Sequence, residues 1–194
     1  VVKPMTVAGA VVCWGVLLVG CTPAGGSTPS PEPTPEPTFQ CTPEAGGEAY
    51  ACDEAEHERM VARDEQYAEA ERVYRRAMET ANDLLIAKEA MSDGLRDLTV
   101  GAAQEDLEKT LLEASRSDVA YSGEMEIEWV RPTNIADRGS DLALEICSSP
   151  GTQSFTANGE TTAIASYVLE DVFFTKTDGG IKLSSIKGAE VEEC

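Results

Sequence analysis

The sequence predicts an α+β fold, with N-terminal helices packed on a curved antiparallel sheet. Three observations predict it. Apolar residues recur at helical spacing from about residue 53 to 117. After Asp118 the period changes to two, as in half-buried strands. Turn signals at Asn158-Gly159 and Asp178-Gly179-Gly180 then cut that region into a meander. Helices first and antiparallel strands after is the element order of an α+β domain.

The first 38 residues stand apart from this pattern. A lone basic residue, Lys3, precedes an apolar run from Thr6 to Gly20. About fifteen residues fall short of the roughly 20 that a bilayer-spanning helix needs. A charged start, an apolar stretch and a small residue before the junction are the layout of a secretory signal. The junction, Leu18-Val19-Gly20-Cys21, resembles the lipobox of bacterial lipoproteins. That resemblance implies removal of residues 1–20 and a diacylglyceryl group on the Cys21 thiol; an uncleaved anchor helix is the competing reading. Residues 22–38, TPAGGSTPSPEPTPEPT, carry proline at every second position from Pro29 to Pro37. Such a run favours polyproline II and cannot pack a core, so it serves as a spacer of up to ~50 Å. The expected organisation is a signal over 1–20, lipidated cysteine and linker over 21–38, and one α+β domain over 39–194. The expected location is the extracytoplasmic face of the cell membrane.

In the helical region Asp53 caps the start, and Glu56 three positions on completes a capping box. Met60, Tyr67, Tyr74 and Ala81 recur every seven residues and are joined by Ala70, Ala77 and Leu84. The stripe is alanine-rich and broken by Arg63, which favours packing on a sheet over a free coiled coil. Asp93-Gly94 reads as a stop. A further helix is expected from Gly101 to Arg116, with Leu107, Leu111, Leu112 and Ala114 inward.

In the strand region, Glu124 to Trp129 alternates, placing Met125, Ile127 and Trp129 on one face and three glutamates on the other. Asp141 to Cys147 alternates likewise, with Leu142, Leu144 and Ile146 inward. Those six apolar residues are the candidate lining of an internal cavity closed by the helices. Asn158-Gly159 predicts a type I′ turn into one long strand, about Thr161 to Thr175. A last strand is expected from Ile181 to Ile186.

Six cysteines fit export. Cys13 belongs to the signal and Cys21 to the lipid, leaving Cys41, Cys52, Cys147 and Cys194. Four allow three pairings; the favoured one is Cys41–Cys52, closing a short loop with Pro43, Gly46 and Gly47, and Cys147–Cys194, pinning the chain end to a strand. Removing residues 1–20 leaves 14 basic against 35 acidic residues, a formal charge of −21. Nucleic acid is excluded as a partner by repulsion from phosphates, and no polybasic patch adds to membrane binding. Membrane contact therefore falls to lipid on Cys21.

The order of helices and then a curved antiparallel sheet looks like the cone-shaped nuclear-transport-factor-2-like fold, which includes SnoaL-like and ketosteroid-isomerase-like proteins. More narrowly, the chain resembles actinobacterial lipoproteins of unassigned role. The matching pieces are Cys21, the linker 22–38, the Tyr-containing alanine-rich stretch Ala70 to Asn82, and the strand Leu142 to Cys147. Ser148-Ser149 stand where that group often carries an acidic residue, and Ile181 where it often carries tryptophan.

No catalytic motif stands out. His57, the single histidine, lies among Glu54, Glu56 and Glu58 and reads as a solvated side chain. There is no nucleophile-elbow Gly-x-Ser-x-Gly, phosphate loop, His-Glu-x-x-His, EF-hand spacing or Cys-x-x-Cys. No cofactor and no metal are expected. The favoured reading is a lipid-anchored binding domain for a protein, a cell-wall component or a small apolar ligand. The resemblance supplies a rival: a small isomerase or hydrolase on the same scaffold, the isomerase using an inward Asp and Tyr. Asp171 and Tyr167 share a strand face and are the candidates, against Tyr167 packing and Asp171 pairing with Lys182.

Overall fold

The structure is a computed structural model that describes residues 39–44, 46–137 and 139–194. The signal, Cys21 and the linker lie outside the described residues. Among the described residues no helix is long and apolar enough to cross a membrane.

The chain begins with a hairpin of β1 (Phe39–Cys41) and β2 (Tyr50–Cys52), closed by the Cys41–Cys52 disulfide. The helix α1 (Glu54–Ala87) follows at once. Asp53 caps it by accepting from the Glu56 amide at 2.8 Å, but the other half of the expected capping box is absent. The Glu56 carboxylate instead accepts from the Tyr50 hydroxyl, also at 2.8 Å. The hairpin lies along the first turns of α1. Arg63 donates to the Thr42 carbonyl, Tyr67 donates to Glu44, and the His57 ring stacks on Phe39 with centroids 5.0 Å apart. This corrects the solvated reading of His57, and it gives the break in the stripe at Arg63 a cause: that stretch of helix meets a hairpin rather than the core.

The stop expected at Asp93-Gly94 is a start. Helix α1 has already ended at Lys88, whose φ of 56° turns its N–H back to the Leu84 and Leu85 carbonyls. Ser92 then caps α2 (Asp93–Leu98), and Asp93 occupies its first turn. The helix α3 (Gly101–Arg116) buries Ala103, Leu111 and Ala114; Leu112 is 42% exposed, contrary to expectation.

The main sheet is antiparallel, in the order β4 (Glu126–Pro132), β5 (Leu142–Ser149), β8 (Tyr167–Thr177), β9 (Gly180–Val191). A second sheet joins β3 (Ala120–Ser122), β6 (Ser154–Ala157) and β7 (Glu160–Ala163). Asn158 and Gly159 have φ of 53° and 83°, as a type I′ turn demands. The expected long strand divides at Ile164–Ser166, because β7 pairs with β6 while β8 pairs with β5 and β9. The Cys147–Cys194 disulfide ties the chain end to β5.

The core lies between the helices and one face of the main sheet. Tyr74, Ala77 and Leu84 of α1, Leu95 of α2 and Leu111 of α3 meet Leu144, Ile146, Val172, Phe174 and Leu183. Two bulges bend the sheet, one in β4 between Ile127 and Trp129, one in β9 opposite Phe173 and Phe174. Where the main sheet passes into the smaller one, two glycines cross back to back. At Gly123 (φ 83°) a Cβ would stand 2.1 Å from the Thr152 carbonyl oxygen, and at Gly151 (φ 51°) 2.4 Å from that of Glu124. Only glycine fits this approach.

Candidate functional site

Helices α1 and α3 diverge over the sheet and leave a cavity of about 470 Å³, open to solvent along one side. Met78, Asn82 and Leu85 reach it from α1 at helical spacing, and Leu107 and Leu111 from one side of α3. Met125 and Ile127 form the opposite wall. The glycine crossing sets the rim. Glu124 receives a backbone bond from Thr152 and donates to its hydroxyl, and Asn82 Nδ2 reaches the Gly123 carbonyl at 3.2 Å. The helix, the crossing and the sheet edge are thus held in one register.

Of the six residues predicted to line a cavity, the structure brings Met125 and Ile127 to it. Leu142, Leu144 and Ile146 share the helix-facing side of the sheet but are buried in the packed core. Trp129 is on the opposite face. The bulge after Ile127 inserts one residue, so that Trp129 pairs with Cys147 and Val130 takes the inward place beside Ile146. A bulge of one residue reverses every side chain beyond it. Arg131 covers Trp129 at 4.4 Å from its ring and forks onto Glu145.

Asp171 and Tyr167 occupy that same outer face. Asp171 stands opposite Glu145 and Lys187 in register, not Lys182, which pairs with Thr175. Neither can act in the cavity. The acid of this strand that does line it is Glu170, one residue earlier. Glu170 pairs with Ile146 on β5 and with Gly188 on β9, where a Cβ would come within 3.1 Å of the Glu170 Cγ. The absent side chain gives the acid its space. The hydroxyl of fully buried Tyr74 donates to Glu170 Oε2, while Oε1 receives no hydrogen bond among the described residues.

Burial pushes the Glu170 carboxyl above its ordinary value of 4.5, partly offset by the Tyr74 bond. Tyr74 is driven well above the usual phenol range by burial and by the adjacent carboxylate, so it stays a donor. Ser148 Oγ is buried beside this pair without a hydrogen bond of good geometry. The sequence carried a signal for Glu170: an acid sits between Val168 and Val172 on one strand face. The signal was ambiguous, because Asp171 sits between Leu169 and Phe173 on the other face.

The described residues hold one cluster of metal-ligand type, Cys41, Cys52 and Glu56. Both cysteines are in a disulfide and the carboxylate is engaged by Tyr50, so it offers no thiolate to an ion. Comparison with protein-family models, with curated proteins and with solved structures gives no match.

Proposed function

We propose that this chain is an extracytoplasmic binding domain, tethered by lipid on Cys21, that takes a small apolar ligand between its helices and its sheet. The cavity carries the reading. Its volume of about 470 Å³ falls within the ~300–1,000 Å³ of small-molecule sites, and its lining combines Met78, Leu85, Leu107, Leu111, Met125 and Ile127 with polar side chains, Glu170 among them. Two disulfides suit an oxidising, extracytoplasmic compartment. The arrangement of helices over a bent sheet is also what a nuclear-transport-factor-2-like cone would require, and we propose that kinship on the same grounds. The test is titration of the chain from Thr22 to Cys194 with N-phenyl-1-naphthylamine, an uncharged dye that brightens in apolar sites. Saturable binding that is lost when Leu111→Trp fills the cavity supports the proposal. Absence of saturable binding contradicts it.

A second reading, an isomerase on an apolar substrate, rests on Glu170 and Tyr74 rather than on Asp171 and Tyr167. Half-buried beside a phenol in the cavity, Glu170 has the surroundings of a general base. Ketone turnover abolished by Glu170→Gln, with the fold retained, would favour that reading over binding alone.

A further inference from the structure

We infer that the cavity selects apolar ligands carrying a protonated amine, with Glu170 Oε1 as the acceptor; the inference rests on the binding reading above. Three observations lead to it. The first is charge. Glu79, Asp83, Glu124 and Glu170 line the cavity, and the one basic side chain there, Arg75, is already ion-paired with Glu71 at 2.7 Å. A ligand anion would meet uncompensated carboxylates.

The second is hydrogen-bonding capacity. Tyr74 satisfies one oxygen of Glu170 and leaves the other open, and a carboxylate oxygen accepts but does not donate. The group that completes the site around the ionised acid is therefore a donor. The third is burial. Glu170 sits where ionisation is opposed by desolvation, with Tyr74 as its only hydrogen-bond donor among the described residues. An ammonium group supplies both the donor and the missing positive charge, and a charge-assisted bond in such a site outweighs a neutral one. The apolar part of the ligand would lie between Met78, Leu107 and Met125.

The experiment uses the chain from Thr22 to Cys194 loaded with N-phenyl-1-naphthylamine, at pH 7 and below micelle-forming concentrations. Decylamine, decanol and decanoate compete for the site. They share one alkyl chain and differ in head group. The whole domain is strongly acidic and would gather any cation, so the series is run in 0.5 M NaCl, where fields from distant exposed charges are screened. The expected result is displacement by decylamine at about tenfold lower concentration than decanol, with decanoate weakest. Glu170→Gln should bring decylamine to within about twofold of decanol. Asp171→Asn removes the same charge on the other face and should leave the preference intact.

Equal displacement by amine and alcohol in the unmodified chain overturns the inference while leaving apolar binding in place. A preference that survives Glu170→Gln also overturns it, since general acidity would then be its source. Failure of the dye itself to bind removes the cavity reading together with the inference. The unmodified chain decides the head-group preference even if the glutamine variant does not fold.

Discussion

Glu170 and Asp171 are neighbours in the chain and live in different solvents. Glu170 faces the helices, bonded to a buried phenol in the cavity between helices and sheet. Asp171 faces outward on a side where rings are covered by cations: Arg131 over Trp129, and Lys187 over Phe173 at 4.9 Å with its ammonium 2.9 Å from Asp137. A strand turns successive side chains to opposite faces, so one residue of offset decides which acid is desolvated. The inner face concentrates apolar surface and leaves one acid with an open acceptor. The outer face balances charge locally. In the binding role proposed above, the working side of this sheet is the side with the unbalanced group.

The largest effect should come from the outer face. The Cys147–Cys194 disulfide closes a span of 47 residues, against 11 for Cys41–Cys52. By loop entropy, replacing each pair with alanine should cost about 4 and about 3 kcal/mol respectively in urea unfolding. A reversed order would mean that the hairpin holds more of the fold than its loop length implies.

Next is the rim of the cavity. Gly123→Ala forces a Cβ against the Thr152 carbonyl at a positive φ, and should cost about 3 kcal/mol. Dye affinity should fall with it, because the crossing holds Glu124 and Met125. Gly139 also has a positive φ but nothing within reach of a Cβ, so Gly139→Ala should cost only ~1 kcal/mol of backbone strain.

On the inner face, Tyr74→Phe leaves Glu170 without its donor and should cost about 1–2 kcal/mol at pH 7. The pH dependence has a definite sign. The folded state holds the Glu170 proton above 4.5, where the unfolded chain has released it. That contribution is complete below pH 4.5 and is lost as pH rises through the elevated folded value. Glutamine keeps a neutral side chain at every pH. The melting temperature of Glu170→Gln relative to the unmodified chain should therefore climb between pH 4.5 and 8, and Tyr74→Phe should steepen the loss in the native background. The groups facing Glu170 are Tyr74 and Ser148, with Arg75, Glu79, Asp83 and Glu124 also lining the cavity. A flat difference across that range would mean Glu170 is not desolvated.

The smallest effect is on the outer face again. Trp129 is the only tryptophan after Trp14. Its emission should barely change as ligand fills the cavity, and Trp129→Phe should leave dye binding intact. The cation–π contact of Arg131 adds only ~0.5–1 kcal/mol at an exposed site.

Much of this arrangement was legible in the sequence, and the failures share a cause. The seven-residue stripe from Met60 to Ala81 identified α1 and put Tyr67 and Tyr74 inside, and Asn158-Gly159 turns as its residues require. Periodicity carried that information because one side of α1 meets the core and the other meets water. It failed where both sides are covered. Strand β5 is buried on both faces; its alternation placed Leu142, Leu144 and Ile146 inward correctly but could not tell packed core from cavity wall, and β8 offered two acids of opposite parity. The bulge at Glu128 was invisible because Glu124 to Trp129 alternates without a flaw; pairing with β5, not local pattern, inserts the extra residue. Asp93-Gly94 was read as a stop because Lys88, which ends α1 in a left-handed turn, carries no glycine to announce it.

The cavity as binding site is tested most directly by the methionine methyl groups. Labelled with ¹³C, the chain from Thr22 reports from Met60 at the hairpin, Met91 in the core, and Met78 and Met125 on the cavity wall. Titration with N-phenyl-1-naphthylamine should shift the methyl resonances of Met78 and Met125 and leave those of Met60 and Met91 in place. Shifts confined to Met60 or Met91, or no shift at any of the four while the dye binds, would put the ligand elsewhere and contradict the account.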